Sequence, residues 1–166
     1  SKPYDVAKLG LGRTFQITRP FGRLSVFENM LVPNTERGTY SREQEETIWS
    51  LLEELDLDHV ADEAAADLSG GQQRLLEIGR VLMLDPDLVL LDEPAAGVNP
   101  ALMDDIVERI RALNEQGKTF LVIEHDMAVV DRLCDRIVVM ADGRKIADGT
   151  FDDIRQDEQV REAYLG

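Results

Sequence analysis

Cysteine and long apolar runs are nearly absent from this sequence. A lone Cys134 excludes an internal disulfide and fits a reducing compartment, and its place between Leu133 and Asp135 favours a packing role. No apolar run reaches the roughly 18 residues that would span a bilayer, so any membrane association is expected to run through a partner. An initiator methionine and a signal-peptide leader are also missing, and we interpret the chain as a piece of something longer.

Positive charge is scarce as well. The sequence has 33 Asp and Glu against 18 Lys and Arg, and its formal net charge is −15. Such a chain repels phosphate backbones, so no nucleic-acid partner is predicted. The lysines are Lys2, Lys8, Lys118 and Lys145. This scarcity, with the acidic excess, suggests a chain kept soluble in concentrated salt, although ordinary acidic drift on a mesophilic surface explains it equally well.

The first half of the chain is predicted to be a short strand followed by helices. Residues 12–21 are β-capable up to Pro20, where a strand must give way to a loop. Ser25, with Glu28 three residues later, predicts a capping box at the start of a helix. Residues 41–55 predict a second helix, because apolar side chains recur there at helical spacing.

Strands and helices alternate in the second half. Residues 88–91 and 119–123 are short apolar runs, which predict strands buried on both faces. A third strand is predicted at residues 136–140, followed by a turn at Gly143-Arg144 and a short hairpin strand. The predicted helices cover residues 72–84, 100–114 and 127–133, with further helices after residue 150. This alternation is typical of an α/β fold with a parallel sheet covered by helices.

The heptad at residues 68–74, Leu-Ser-Gly-Gly-Gln-Gln-Arg, is the strongest local signal. Amides at a helix start attract anionic oxygen, glycines Gly70 and Gly71 allow close approach, and the Ser69 hydroxyl adds a hydrogen bond. The plain alternative is a glycine-rich helix start that Ser69 caps in the ordinary way. The complete heptad favours the anion-binding interpretation.

Two carboxylates follow the apolar run at residues 88–91, at the strand end where open α/β sheets place their ligands. Asp92 suits a magnesium ion held through its water shell, and Glu93 suits the orientation or deprotonation of an attacking water. Farther on, His125 leaves the next strand at the predicted same edge, where a neutral imidazole can donate to a terminal phosphate. Solvated acids and a structural histidine are the plain alternatives.

In order and spacing, these motifs resemble the nucleotide-binding subunit of ABC transporters. Gln16 matches the glutamine loop, residues 68–74 the signature, residues 88–93 the Walker B strand, residues 96–99 the D-loop and His125 the switch histidine. Within that family, residues 12–16, 94–100, 124–127 and 163–166 look most like the ATPases of branched-chain amino-acid uptake systems.

The resemblance implies a P-loop NTPase fold, with a parallel sheet, covering helices and an α-helical subdomain that carries the signature. We expect residues 1–20 to be the glutamine-loop end of the core, residues 21–85 the helical subdomain and residues 86–166 the other half of the core. The implied activity is ATP hydrolysis coupled to import, for branched-chain amino acids. The subunit is expected at the inner face of the cell membrane, on the cytoplasmic side, bound to transmembrane permease subunits and paired head to tail with a second ATPase subunit.

The resemblance also implies a role for individual residues, with ATP and Mg²⁺ as the cofactors. Glu93 and His125 are the expected catalytic residues, and Gln16 and Asp92 the expected metal ligands. The expected nucleotide-binding residues are Gln16, Ser69, Gly70, Gly71, Gln72, Asp92 and Asn99. The expected permease contacts are Phe15, Ile17, Arg19 and Phe21, since family members couple at the glutamine loop and an apolar patch beside an arginine suits a partner groove.

Two departures from the family pattern stand out. Asn99 replaces the aspartate of many D-loops, which keeps a helix cap and removes a charge. No G-x-x-x-x-G-K-[ST] phosphate loop precedes Gln16, and Gly117-Lys118-Thr119 is only a decoy because Ala112 stands where the first glycine is required. The chain is therefore expected to be a fragment without the Walker A segment, inactive alone.

Two alternatives stay open. One is an ABC-type ATPase of another process, either transport of another solute or a soluble factor in DNA repair or translation, although the sequence has neither a coiled-coil insertion nor a basic surface. The other is an interaction module that binds a partner through its helical subdomain without turnover.

Overall fold

Three short strands from distant parts of the chain form a parallel sheet in the computed structural model, which describes residues 10–14, 20–34, 40–96, 98 and 100–164. Strands β1 (Leu11–Arg13), β2 (Leu88–Asp92) and β3 (Thr119–Ile123) lie in the order β1-β2-β3. In this register Arg13 lies opposite Leu90, and Asp92 opposite Ile123. The parallel sheet predicted from the sequence is confirmed, and its central strand is the one that ends in the two carboxylates.

The strands are less buried than the apolar runs predicted. In β2 only alternate residues, Val89 and Leu91, are fully buried, and Leu90 is half-buried. In β3, Leu121 and Ile123 are 51% and 49% exposed. The prediction of strands buried on both faces is therefore wrong for β3 and holds for only one face of β2. An apolar run shows that a strand has apolar side chains on both faces. Whether those faces are buried depends on other segments of the chain.

The predicted capping box at Ser25 is confirmed, and the next helix has a similar box that was not predicted. Helix α1 (Val26–Leu31) begins with the Ser25 and Glu28 capping box, and α2 (Arg42–Glu54) begins with an equivalent box between Ser41 and Gln44. One-turn 3₁₀ helices follow at Val32–Asn34 and Asp58–Val60. The fully buried side chains that join these helices are Val26, Met30, Ile48, Leu52, Leu55 and Leu57.

Helix α3 (Gly70–Leu82) begins two residues earlier than predicted, because Ser69 is its N-cap and both glycines lie inside the first turn. Its C-terminal half packs closely on the earlier helices. Helix α4 (Pro100–Glu115) follows β2 and ends before Gly117, whose φ of +101° is a conformation that favours glycine. The predicted stop at Gly117 is confirmed.

The chain divides into two compact units, Ser1–Ile123 and Glu124–Gly166. The second contains α5 (Met127–Leu133), β4 (Ile137–Ala141), β5 (Arg144–Gly149), α6 (Phe151–Gln156) and α7 (Glu158–Tyr164). Among the described residues β4 pairs only with β5, antiparallel, so the predicted hairpin is confirmed.

The second unit has a small apolar core of its own, formed by Val130, Ile137, Val139, Ile154 and Val160. Cys134 packs against that core, and burial raises the pKa of its thiol, which keeps it protonated at neutral pH as a packing role requires. On the surface of the hairpin, Asp148 accepts hydrogen bonds from Arg136 at 2.8 and 2.9 Å and from Lys145 at 3.1 Å. These bonds hold the pKa of Asp148 well below its ordinary value.

The predicted three-part division at residues 20 and 85 stays a prediction. Within the described part of the chain, no helix has the length and apolar character that a membrane crossing demands. The longest, α4, has 16 residues.

Candidate functional site

Asp92 is the last residue of β2 and has a basic neighbour. Its Oδ2 accepts a hydrogen bond from Arg13 Nη2 at 3.0 Å, and the Asp92 side chain is 19% exposed. The contact arises because β1 and β2 run parallel and end at the same edge of the sheet. Sequence reasoning missed Arg13. Its signal was a cation in a predicted strand three residues before Gln16, but only the strand register shows which acid it meets.

Glu93 follows directly and breaks the strand. Its φ of +47° lies in the left-handed region, which costs a non-glycine residue about 1–3 kcal/mol and persists only where the surrounding contacts impose it. Two main-chain hydrogen bonds hold the residue: its N–H donates to the carbonyl of Ile123 at 2.9 Å, and its carbonyl accepts from the Ala96 N–H at 3.1 Å. The Glu93 turn is thereby tied to the end of β3.

Helix α3 begins at the predicted anion-binding heptad, and its first polar side chains form a reciprocal cap. Ser69 Oγ accepts from the Gln72 N–H at 3.3 Å, and Gln72 Oε1 accepts from the Ser69 N–H at 3.0 Å. The two glycines differ. A Cβ on Gly70 would meet nothing within 4 Å, whereas one on Gly71 would lie 3.0 Å from Leu102 Cδ1. Gly71 is needed for packing against α4, and Gly70 leaves open space at the helix start.

Arg74, the last residue of the heptad, is buried with 1% of its surface exposed. Its Nη1 donates to Glu77 Oε2 at 2.9 Å, and its Nη2 donates to the carbonyl oxygen of Glu93 at 2.9 Å. Arg74 therefore joins the heptad to the Glu93 turn. Sequence reasoning missed this role, because a basic residue at the end of the motif gave no sign of being buried.

His125 lies in the second unit and is 75% exposed. The neighbouring Glu124 side chain is 1% exposed and accepts from the N–H groups of His125 at 2.9 Å and Asp126 at 3.2 Å. His125 Nδ1 lies 3.7 Å from Glu124 Oε2. The backbone at the histidine is thus fixed by a buried carboxylate, and the imidazole faces solvent within this unit.

Several predicted site residues lie outside the described residues, namely Phe15, Gln16, Ile17, Arg19 and Asn99. Of the predicted permease contacts, Phe21 is described and is 47% exposed. Its main chain makes two hydrogen bonds with the side chain of Asn29, at 2.8 and 3.1 Å. The Arg80 guanidinium lies 4.7 Å from the centroid of its ring, a cation–π distance.

The sequence was compared with known protein families to find where these features occur together. Residues 3–96, more than half of the chain, match the family described as "ABC transporter". This chain belongs to the ABC transporter ATPase family. Residues 144–166 separately match a family described as "Branched-chain amino acid ATP-binding cassette transporter". The heptad, the acidic strand end and the histidine thus occur in a chain of the family to which their resemblance pointed.

Curated relatives agree with this assignment. The probable branched-chain amino acid transport ATP-binding protein LivG of Archaeoglobus fulgidus is 40% identical over 99% of this chain and 68% of its own length. The BraF protein of Pseudomonas aeruginosa, named for high-affinity branched-chain amino acid transport, is 40% identical over 98% of this chain and 70% of its own length. The lipopolysaccharide export protein LptB of Escherichia coli is 38% identical over 96% of this chain and 67% of its own length.

Solved structures show the same fold. An ATP-binding cassette of an ABC transporter in its ADP conformation matches with a TM-score of 0.90 and 35% identity, over 100% of this chain and 72% of that one. CbiO1 of Clostridium perfringens, part of the ABC transporter complex CbiONQ, matches with a TM-score of 0.84 and 26% identity. The match covers 99% of this chain and 67% of CbiO1. The predicted fold class and the predicted ABC ATPase membership are confirmed.

Proposed function

We propose that this chain is part of the ATP-binding and hydrolysing subunit of an importer for branched-chain amino acids, and that it couples hydrolysis to transport. The observation that carries the proposal is the match of residues 144–166 to the family of branched-chain amino acid cassettes. The LivG and BraF relatives support the same substrate class.

In this proposal the Glu93 carboxylate orients the attacking water and takes its proton. The water oxygen forms a bond to the γ-phosphorus of ATP as the bond to the bridging oxygen breaks, and ADP and phosphate are released. An N–H of the His125 imidazole donates a hydrogen bond to the γ-phosphate. The fixed backbone at both residues supports these roles, because catalytic groups act best when they are held in place before substrate arrives.

Asp92, together with Gln16, is proposed to hold Mg²⁺. The Asp92 carboxylate fits the ion, since magnesium prefers hard oxygen ligands and is usually bound through one or two carboxylates together with substrate phosphates. Arg13 Nη2 lies 3.0 Å from Asp92 Oδ2 and orients that carboxylate within the first unit. When bound, the ion would neutralise charge on the phosphates.

The start of α3 is proposed to bind the nucleotide of a second subunit in a head-to-tail dimer, through Ser69, Gly70, Gly71 and Gln72, with Asn99 contributing nearby. The open space at Gly70 and the N-terminal amides of a 13-residue helix suit a phosphate. The permease is proposed to contact Phe15, Ile17, Arg19 and Phe21, which would place the subunit peripherally at the inner face of the cell membrane, on its cytoplasmic side.

A second candidate is an ATPase for export, because LptB, named for lipopolysaccharide export, is 38% identical to this chain. The two candidates predict the same chemistry at Glu93 and differ in the transported molecule. Uptake of labelled leucine into proteoliposomes that contain the assembled transporter separates them, with valine and isoleucine as competitors and lysine as the non-competitor.

ATP binding and phosphate release are measured in the same proteoliposomes, with the transporter assembled from the full-length subunit. We expect Glu93→Gln to bind ATP but to lower hydrolysis by about 100-fold or more, because glutamine cannot take a proton from water. Glu115→Gln, at an exposed position at the end of α4, is the matched control and should behave as wild type. Full turnover in Glu93→Gln would remove the proposed mechanism, and leucine-independent activity with export of a lipid would favour the second candidate.

A further inference from the structure

Burial of the Arg74 side chain carries a desolvation cost that its contacts must offset. Arg74 lies on the inner face of α3 among Leu75, Leu76 and Ile78, all of them buried. Its ion pair with Glu77, one turn along the same helix, compensates part of the desolvation cost. Buried ion pairs are nevertheless weak sources of stability, since apolar residues of similar volume often replace them without loss.

The second bond of the same guanidinium leaves the helix. Arg74 Nη2 donates to the carbonyl oxygen of Glu93, a residue 19 positions later in the chain. Glu93 has a positive φ and its N–H is bonded to Ile123, so the arginine completes a set of contacts that hold a strained residue from both sides. A planar guanidinium can serve both partners at once, because its two Nη groups point in fixed and different directions.

We propose that Arg74 is a positioning residue for ATP hydrolysis: it fixes the left-handed backbone of Glu93 and thereby aims the carboxylate that acts on the attacking water. This inference rests on the proposed function, in which Glu93 performs that step. Arg74 acts through Glu93 and has no direct part in the chemistry. Within the described residues, Nη1 neutralises the buried charge of Glu77 and Nη2 holds the main chain of the Glu93 turn.

The alternative is that Arg74 only stabilises the fold, and the choice of substitution separates the two roles. Arg74→Lys keeps the positive charge beside Glu77, but a single ammonium cannot reproduce the fork that reaches both partners. Glu77→Gln removes the ion pair and leaves the Arg74 bond to Glu93 available. Arg74→Met/Glu77→Leu removes both charges together, with side chains of similar size, and keeps a packed interior.

The experiment measures steady-state and single-turnover ATP hydrolysis by the transporter assembled from the full-length subunit. We expect Arg74→Lys to lower kcat by about tenfold or more, as misplacement of a catalytic group does, with KM for ATP within about twofold of wild type. Glu77→Gln should lower the melting temperature and leave kcat within about twofold. Arg74→Met/Glu77→Leu should fold and show the same kcat loss as Arg74→Lys, so the inference stays testable even if one variant folds poorly.

A double-mutant cycle gives the decisive readout. In the Glu93→Gln background, Arg74→Lys should cause no further loss in single-turnover rate, because residues that act through one group are not additive. Amide hydrogen exchange at residues 93, 95 and 96 should also be faster in Arg74→Lys, with exchange in β2 unchanged. Wild-type kcat in Arg74→Lys or in the folded Arg74→Met/Glu77→Leu variant, or equal losses in both backgrounds, would overturn the inference. Full activity in Glu93→Gln would instead overturn the proposed function beneath it.

Discussion

At the scale of single residues, the polar groups at the start of α3 are already engaged. Ser69 and Gln72 hydrogen-bond to each other's main chain, and the proposed site asks the same side chains to bind a nucleotide. A hydroxyl and an amide keep further hydrogen-bonding capacity while they cap a helix. Cap and ligand contact are therefore compatible, and the cap holds both groups in place before the nucleotide arrives.

Ser69→Ala separates these two roles because the chain contains a matched box elsewhere. Ser41 and Gln44 form the same pair of hydrogen bonds at the start of α2. We expect Ser69→Ala and Ser41→Ala each to lower the free energy of unfolding by about 0.5–2 kcal/mol, as loss of an N-cap does. Urea unfolding followed by the fluorescence of Trp49, the single tryptophan, measures this in the first unit.

Only Ser69→Ala should also weaken ATP turnover in the assembled transporter, because the Ser41 box lies on a different helix with no proposed ligand. Equal turnover in the two variants would mean that Ser69 is a cap and nothing more.

At the scale of the element, α3 uses its glycines for two different purposes. A Cβ on Gly79 would lie 2.8 Å from Leu55 Cδ1 and 2.9 Å from Met30 Sδ, so this glycine lets the helix pack closely on its neighbours. Gly70, at the other end, faces open space. The C-terminal half of α3 packs against the core at Gly79, and its N-terminus has open space at Gly70 where a ligand fits.

Gly79→Ala and Gly70→Ala should therefore have opposite effects. We expect Gly79→Ala to lower the free energy of unfolding by about 1–3 kcal/mol through overpacking. Gly70→Ala should leave it unchanged or raise it by up to about 1 kcal/mol, because alanine is the better helix former. The same urea titration measures both.

Transport assays complete that comparison. Gly70→Ala should lower ATP turnover despite its intact fold, since the added methyl occupies the space that a phosphate needs. Full turnover in a stable Gly70→Ala variant would contradict anion binding at this helix start.

The elements differ in how far they could be predicted, and the difference follows sequence distance. Helix starts at Ser25, Ser41 and Thr150 rest on groups three residues apart, so the sequence contains the whole interaction. Strand environments rest on partners tens of residues away, and β3 proved exposed although its run of apolar residues predicted burial. The hydrogen bond from Arg74 to Glu93 also joins residues far apart in the chain. The sequence therefore predicted the heptad that contains Arg74 but not this contact.

At the scale of the whole molecule, the dominant physical feature is negative charge. A net charge of −15 spread over a chain of this size makes like charges repel in the folded state, which destabilises it in dilute buffer. Local pairing relieves part of this repulsion, as at Arg13 and Asp92 or Arg136 and Asp148. The 33 acidic residues outnumber the 18 basic ones, so one-to-one pairing still leaves a net charge of −15.

Potassium chloride should consequently raise the melting temperature of the chain, as expected of a protein suited to concentrated salt. The Debye length falls from about 10 Å at 0.1 M to about 3 Å at 1 M, so added salt screens repulsion between exposed carboxylates. If screening contributes about 1 kcal/mol, the melting temperature should rise by roughly 2–4 °C. Differential scanning calorimetry across a salt series measures the slope. A variant with Glu43→Gln, Glu53→Gln and Asp62→Asn, all at exposed positions, should give a shallower slope, and one with Arg111→Gln and Arg161→Gln a steeper one. A flat or falling response in the unmodified chain, or equal slopes in all three, would show that charge repulsion does not limit the stability of this fold.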